Sequence, residues 1–600
     1  MRSKDGRRLR RLIPYVARDG RRLGLTLLLL IPVALMAAVQ PLLVGQVIAV
    51  LHDESTLSWL TGLPVGHALR LLVSSLCFAI LIRFSLLGVQ VFNIQAVGQR
   101  LTARIREDLF SHAIALSLYF HDRIPVGKLL TRLTNDVDAL SEVFSSGIIG
   151  ILADLVTLLI IIVTMISIET RLGCILLITQ IPITFTVMWL QRKYRKANYK
   201  VREDLSQLNA DFQENLQGME VVQMFCREGF NSVRFARIGR SYRQAVDGTI
   251  FLDSAIAALI EWVALIAVAT VLTVGGWMVT TEVIGLGTLT TFILYSQRLF
   301  DPLRQLAERF TQIQGGLTAV ERIGELLEQP IEIMDSPKEQ SKFIYKQKLD
   351  EEYVNPSEVV FEDVSFSYRE DEPILQQLSF RVPSGKHAAI VGPTGSGKST
   401  IIRLLCRLYE PQKGRILLDG IDIRELPLSV LRHRLGVVLQ DPFIFSGDVA
   451  TNLRLNAQLT KSQILSACKQ LGVSPFLDRL SKGLDTELRE RGGNLSSGER
   501  QLLSIARVAI RNPSVLVMDE ATASMDPSTE ASLQKDLESL LNQRTAIVIA
   551  HRLATIEAAD QILVLKRGKL IESGTHAELR NQGGIYSKLI RLQERGFINI

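Results

Sequence analysis

Residues 392–400 read Gly-Pro-Thr-Gly-Ser-Gly-Lys-Ser-Thr, with Gly392, Gly397, Lys398 and Ser399 at the G-x-x-x-x-G-K-[ST] spacing. The residue types follow from the chemistry of holding a triphosphate. Glycines let backbone N–H groups crowd around phosphate oxygens where a Cβ would obstruct them. A lysine at position 398 reaches the β- and γ-phosphates, and the Ser399 hydroxyl is a ligand for Mg²⁺. Thr394, Gly395, Ser396 and Thr400 complete the candidate loop.

Four other polar groups follow buried-strand patterns. Asp519 ends the apolar run 515–518, and an Asp at a strand end beside such a loop holds Mg²⁺ through water. Glu520, next to it, is placed to polarise an attacking water as general base. His551 ends the run 548–550 and is expected to sense or stabilise the γ-phosphate. Gln440, after 436–439, is a fourth strand-end group and is expected beside the metal and the attacking water. Residues 495–501 read Leu-Ser-Ser-Gly-Glu-Arg-Gln at a turn before a helical stretch, 502–510. Ser496 and Gly498 sit near its N-cap, which makes a second anion site far from the first in sequence. One chain has no need of two such sites. Two chains placed head to tail do, if each turn covers the other's phosphate loop.

The elements that must position these residues are also visible. An apolar strand, 387–391, precedes the loop and a helical pattern, 401–406, follows it, so the triphosphate sits at a helix N-terminus. From 358 to about 590 short apolar strands alternate with helical stretches, the pattern of an α/β domain. Residues 336–356 are polar, charged and non-periodic, a linker.

The 600 residues exceed what one core holds, so at least two domains are expected. Hydrophobic residues make up 47% of the chain, and mean hydropathy is +0.21. That excess lies before about residue 300. Residues 1–22 carry nine Lys and Arg, and 23–51 carry no charge at all. The uncharged run is too long for a signal peptide core and long enough to span a bilayer. Further spans are expected at 67–97, 148–168, 172–191, 254–280 and from 284 to 297 and onward.

The connections at 169–171 and 281–284 are short, and 52–70 holds a single Arg, whereas 98–147 holds six Lys and Arg and 192–253 holds eleven. Basic connections stay on the cytoplasmic side. The expectation is a multi-pass protein of the cell membrane with both termini inside.

The two long inner connections show apolar residues at helical spacing. They read as membrane helices that extend beyond the bilayer, with breaks at 125–127 and at Gly218. Arg83, Asp154 and Glu261 lie in or at the edge of spans, where a charge is costly and marks a functional candidate. The net charge of +7 does not point to nucleic acid, because the basic residues cluster beside apolar segments. Five scattered cysteines without a C-x-x-C argue against a metal cluster or a disulfide framework.

With these motifs together the chain resembles a half-transporter of the ATP-binding cassette exporter family, over essentially its whole length. The resemblance implies a membrane all-α domain of six helices at 1–335, the linker at 336–356, and an α/β P-loop nucleotide-binding domain at 357–600. It implies that Tyr368 stacks on adenine, that 392–400 is the Walker A loop, Gln440 the Q-loop and 495–501 the signature. Asp519 then closes Walker B, Glu520 is the catalytic base, 524–526 the D-loop and His551 the switch histidine. Residues 119–140 resemble the first intracellular loop of these exporters.

ATP and Mg²⁺ are the implied cofactors, and the lipid bilayer and a second half-transporter the implied partners. The family signature is Leu-Ser-Gly-Gly-Gln, and here Ser497 and Glu499 replace its third and fifth residues. A negative charge near a triphosphate weakens the site that this signature completes. An intact catalytic half with an altered signature resembles one member of a heterodimer, with a homodimer as the alternative. The implied activity is ATP-driven export of a hydrophobic or amphipathic drug, lipid or peptide. An ATP-gated regulator or channel is the rival reading.

Overall fold

A charge-free run in lipid must satisfy its own backbone, and the helix does so within one segment. The N-terminal half is accordingly helical. Its elements are α1 (Gly20–Leu51), α2 (Val65–Ala115), α3 (Leu118–Arg123), α4 (Val126–Ile168), α5 (Thr170–Gln217), α6 (Met219–Met224), α7 (Glu228–Thr280), α8 (Leu286–Arg298) and α9 (Phe300–Leu327). The structure, a computed structural model, describes residues 14–335, 355–519 and 544–594, together with Leu541 and apart from 16, 55–56, 58, 370, 456–458, 471–473 and 551–552. The expected linker therefore lies mostly outside the described residues.

The chain packs as two units. One comprises Met1–Ile114 and Val126–Gln329, the other Ala115–Pro125 and Pro330–Ile600. The short helix α3 thus belongs with the C-terminal unit, although it lies in sequence between two long helices of the first.

In the first unit, α1, α2, α4 and α7 are long and apolar enough to cross a membrane. The other two expected spans fall on α5, which opens with the shorter apolar stretch Thr170–Thr179, and on α8 running into α9 past Leu299. The helices run on past their apolar stretches, as the helical spacing predicts. α2 continues to Ala115, α5 to Gln217, and α7 begins at Glu228. Gly218 caps α5, and the cross-piece α6 follows at once. Pro32 and Pro41 lie inside α1, and Pro182 inside α5.

α4 is not uniform. It passes through π-helical turns at Arg132–Asp136 and Val143–Ile149, and α7 has one at Val271–Gly275. The packed interior joins Ile161 and Met165 of α4, Leu172 of α5, Val263 of α7 and Phe292 and Tyr295 of α8. Phe78, Leu81, Phe84 and Phe92 of α2 are left exposed, an apolar face suited to lipid. Asp19, at the head of α1, takes Arg100 at 3.2 Å and Arg104 at 2.7 Å from α2. Burial acts to raise its carboxyl, but those two guanidinium partners hold it below the ordinary range.

The second unit holds two main sheets and a two-stranded ribbon of β7 (Gly447–Asp448) and β8 (Glu487–Leu488). β1 (Val359–Arg369), β2 (Glu372–Val382), β4 (Lys413–Leu418) and β5 (Ile421–Asp422) form an antiparallel sheet in the order β2-β1-β4-β5. β3 (His387–Val391), β6 (Leu435–Val438), β9 (Val515–Asp519), β10 (Thr545–Ile549), β11 (Gln561–Lys566) and β12 (Lys569–Gly574) form the other, in the order β12-β11-β3-β10-β9-β6. All its pairings are parallel except β11 with β12. The strands β3 and β9 are near-continuous apolar runs because a parallel sheet is covered on both faces. Ala388–Val391 and Val515–Met518 are buried throughout.

Helix α10 (Lys398–Leu405) follows β3, α11 (Leu428–Arg434) precedes β6, and α12 (Val449–Arg454), α13 (Lys461–Gln470), α14 (Ser474–Arg479) and α15 (Ser497–Ile510) lead back to β9. One core lies around both sheets and α10, through Phe361, Phe380, Leu404 and Ile547. A second surrounds α15 through Ile444, Phe476, Leu503 and Leu516.

Candidate functional site

The parallel sheet decides where the polar groups gather. β3, β10, β9 and β6 end on the same side, with Ile390 beside Ile549, Ile549 beside Asp519, and Val438 beside Met518. In open α/β sheets this carboxyl end is where ligands bind. The loop after β3 starts at Gly392, whose φ is +155°, and a Cβ there would stand 2.2 Å from the Leu565 carbonyl oxygen. Gly397 caps α10 with φ +98°, and a Cβ would meet the Leu375 side chain at 2.7 Å. The backbone carbonyl leaves no room for a side chain at 392, the positive φ disfavours one at 397, and Gly395 also has a positive φ, +80°.

The loop wraps its own lysine. Lys398 Nζ donates to the Gly392 carbonyl and is buried. Ser396 is 2% exposed, and its buried hydroxyl has no hydrogen-bond partner among the described residues. Thr394 is exposed on the loop. Ser399 Oγ donates to Asp519 Oδ2 at 3.1 Å, joining two residues 120 positions apart. The hydroxyl and carboxylate expected to share a metal are thus neighbours. Gln440 lies exposed two residues beyond β6. Glu520 and His551 immediately follow Asp519 and Ala550, but both lie outside the described residues, as does 524–526.

Tyr368, on β1, is half-buried, and its hydroxyl donates to Thr400 Oγ1 at 3.2 Å. Its ring meets Phe366 and Tyr409 edge-on, at 4.9 and 5.2 Å between centroids. Arg403 Nη1 donates to the Tyr368 hydroxyl at 3.4 Å. Arg403 and Tyr409 were not among the residues singled out by motif. Their only sequence signal is their position three and nine residues past the phosphate loop.

Both also reach α3. Tyr409 donates to Asp122 Oδ2, and Arg403 Nη1 lies 3.9 Å from the same oxygen. Burial, and then the hydrogen bond to Asp122, push the Tyr409 phenol well above its ordinary pKa, so it stays a donor at all physiological pH.

The signature stretch forms a capping box. Ser496 is the N-cap of α15, and its Oγ accepts from Glu499 N at 3.2 Å. The Glu499 carboxylate accepts from Ser496 N at 2.8 Å and from Ser496 Oγ at 2.9 Å. Glu499 is therefore folded back on the first turn of its own helix, where a carboxylate satisfies orphan amides. Gly498 lies within that turn. Gln501 is buried, and its Nε2 donates to the Leu439 carbonyl at 3.2 Å, tying α15 to the residue before Gln440.

Comparison with known proteins agrees with this geometry. Residues 23–303 match the family model of the ABC transporter transmembrane region, and residues 375–523 that of the ABC transporter. The chain is 36% identical over 83% of its length to an uncharacterized ABC transporter ATP-binding protein, YknV, of Bacillus subtilis, covering 81% of that protein. It is 32% identical over 86% of its length to an ATP-dependent lipid A-core flippase of Idiomarina loihiensis, covering 88% of it. A solved structure of a bacterial Atm1-family ABC exporter with ATP bound superposes with a TM-score of 0.75 at 28% identity, over 96% of this chain and 99% of that one. A membrane helical domain followed by a P-loop ATPase domain, with ATPase and translocase activity, is the family's common ground, and this chain belongs to the ABC transporter family.

Proposed function

We propose that this chain is one half of a dimeric exporter that uses ATP hydrolysis to move a hydrophobic or amphipathic substrate, a drug, lipid or peptide, across the cell membrane. In this reading residues 1–335 are the membrane domain, 357–600 the nucleotide-binding domain, and both termini are cytoplasmic. The observation that carries it is the meeting of Ser399 and Asp519 at 3.1 Å beside a glycine-built phosphate cradle. The residues present fit Mg²⁺ and a triphosphate. A hydroxyl and a carboxylate converge, and the buried Ser396 hydroxyl has no partner among the described residues.

Ser399, Asp519 and Gln440 would hold the metal, which neutralises charge on the β- and γ-phosphate oxygens when bound. Lys398 and the amides of 392–400 bind the triphosphate, and Tyr368 takes the adenine. Glu520 orients and deprotonates the attacking water, and His551 supports the γ-phosphate. Ser496 and Gly498 complete the site of the partner chain. Cassette closure then turns the membrane cavity outward, and hydrolysis reopens it.

The partner is a different chain, with an unaltered signature and an altered glutamate after its Walker B aspartate. What supports this is the departure at Ser497 and Glu499 beside an otherwise intact catalytic half. The test is ATPase activity of this chain alone, reconstituted in lipid, with Glu520→Gln as control. Silence from a folded, ATP-binding protein is the expected result. Robust turnover that Glu520→Gln abolishes would mean a homodimer and end the heterodimer proposal. Turnover unchanged by Glu520→Gln would overturn the assigned base.

A further inference from the structure

The first unit has a half-open cavity of about 530 Å³ lined by α1, α2, α4, α8 and α9. Its described lining has an apolar side, including Leu30, Leu87 and Ile161, and a polar side carrying three arginines and one aspartate. Asp154 of α4 pairs with Arg309 of α9 at 2.9 Å. Gly150, one turn before Asp154, permits this. A Cβ there would stand 1.2 Å from the Arg309 guanidinium, so a side chain at 150 would displace Arg309 from this path.

Arg83 is placed differently. It lies 13 residues after Arg70 and 17 before Arg100 with no charge between them, about 20 and 25 Å along a helix rising about 1.5 Å per residue. That is mid-span, beyond the reach of its own side chain to either surface. Its Nη1 donates to Gln40 Oε1 at 2.9 Å, an oxygen it shares with Arg298 Nη2 at 3.0 Å. Among the described residues Arg83 has no ion pair, and its Nε is buried without a hydrogen-bond partner. A neutral amide fills one hydrogen bond but cancels no charge. A guanidinium held at this depth is costly unless an anion joins it.

We propose that this cavity takes the anionic headgroup of an acyl-chain amphiphile, a carboxylate or a phosphate, with Arg83 as its counter-charge. This rests on the export reading above and narrows its substrate class. The apolar lining receives the first carbons of the chain, and Arg83 Nε and Nη1 meet the headgroup oxygens. Arg298, from the same shared Gln40, adds a second positive charge close by. A neutral amphiphile leaves Arg83 uncompensated, and a cationic one is repelled.

The experiment measures binding without ATP to the full chain in nanodiscs of zwitterionic lipid, above empty discs. The probes are an anthroyloxy-labelled stearate, its methyl ester, and the matching amine and phosphate monoester. The acid or the phosphate is expected to bind at least about tenfold tighter than the ester, and the amine most weakly. Arg83→Gln should bring acid, phosphate and ester within about twofold of one another. Arg83→Lys, which keeps the charge, should retain the preference, as should Glu261→Gln, which lies on an exposed face of α7 outside the cavity.

Binding of the acid alone identifies a fatty-acid-like source, and of the phosphate alone a phospholipid-like one. Equal binding of acid, phosphate and ester by the wild type overturns the proposal, as does a monodisperse Arg83→Gln protein that keeps the preference. Because the readout needs no ATP, loss of ATPase activity would sink the export reading and leave this result standing.

Discussion

At the residue scale, the capping box at Ser496 and Glu499 changes the meaning of the altered signature. The sequence reading took Glu499 as a charge near a triphosphate. The structure gives that charge a local seat, across Ser496 N and Oγ. The carboxylate thus sits where the amides and dipole of α15 would otherwise receive a phosphate. Glu499→Gln keeps a box-forming residue but removes the competing anion. We expect it to raise ATP turnover of the complete transporter by roughly three- to tenfold, and a rate equal to or below wild type would show that the carboxylate does not compete.

The S-x-x-E spacing of the box was present in the sequence at 496–499. The same position is the fifth of the family signature, so the cap residue and the signature's glutamine fall on one site and the family pattern masks the box. The phosphate loop was legible because its chemistry is local, nine consecutive residues with one possible backbone path. The Ser399–Asp519 contact was legible for a different reason. Each residue ends or follows a buried apolar strand, and parallel strands deliver their ends to one edge.

At the element scale, helices longer than a bilayer were readable from apolar spacing among charges. The allegiance of α3 was not. Nothing in Leu118–Arg123 marks it as part of the C-terminal unit, because the signal lies in Arg403 and Tyr409, nearly 300 residues away. Leu118 and Tyr119 also pack on the core of that unit. Asp122 accepts from Tyr409 and lies near Arg403, so one carboxylate links α3 to the turn that follows the phosphate loop. Asp122→Ala removes both links while leaving the loop itself untouched. The expected outcome is basal ATPase activity near wild type with substrate stimulation reduced about tenfold, the size of one lost charge-assisted hydrogen bond. Stimulation unchanged in vesicle assays would sever α3 from the coupling of ATP to transport. The π-helical turns within α4 and α7 were equally hidden, since an extra residue in a turn leaves no compositional trace.

At the scale of the whole molecule, the order of domains was the easiest feature to read, because lipid and water select opposite compositions. The orientation rests on basic connections. Cysteines give a direct check. Cys406 and Cys468 are buried, and desolvation pushes their thiols up to about 12 and about 11, so both are inert in the folded protein. Cys226, between α6 and α7, is exposed. With Cys77→Ser and Cys174→Ser as background, a membrane-impermeant maleimide should label Cys226 only after whole cells are permeabilised. Labelling of intact cells would place that connection outside and reverse the topology.

The π-helical turns of α4 have a mechanical consequence. One, Arg132–Asp136, contains Asp136, which lies 3.4 Å from Arg322 of α9, and the other, Val143–Ile149, comes just before Asp154, which lies 2.9 Å from Arg309 of the same helix. Two clamps on one neighbour therefore bracket a stretch wound with spare residues. An α-helix turns about 100° for each residue that enters it. If a single spare residue were taken up between the clamps, α4 would twist by more than a quarter turn on one side and stay fixed on the other. A helix that did so would act as a ratchet tooth, stepping its cavity face in or out of view without breaking its backbone ladder.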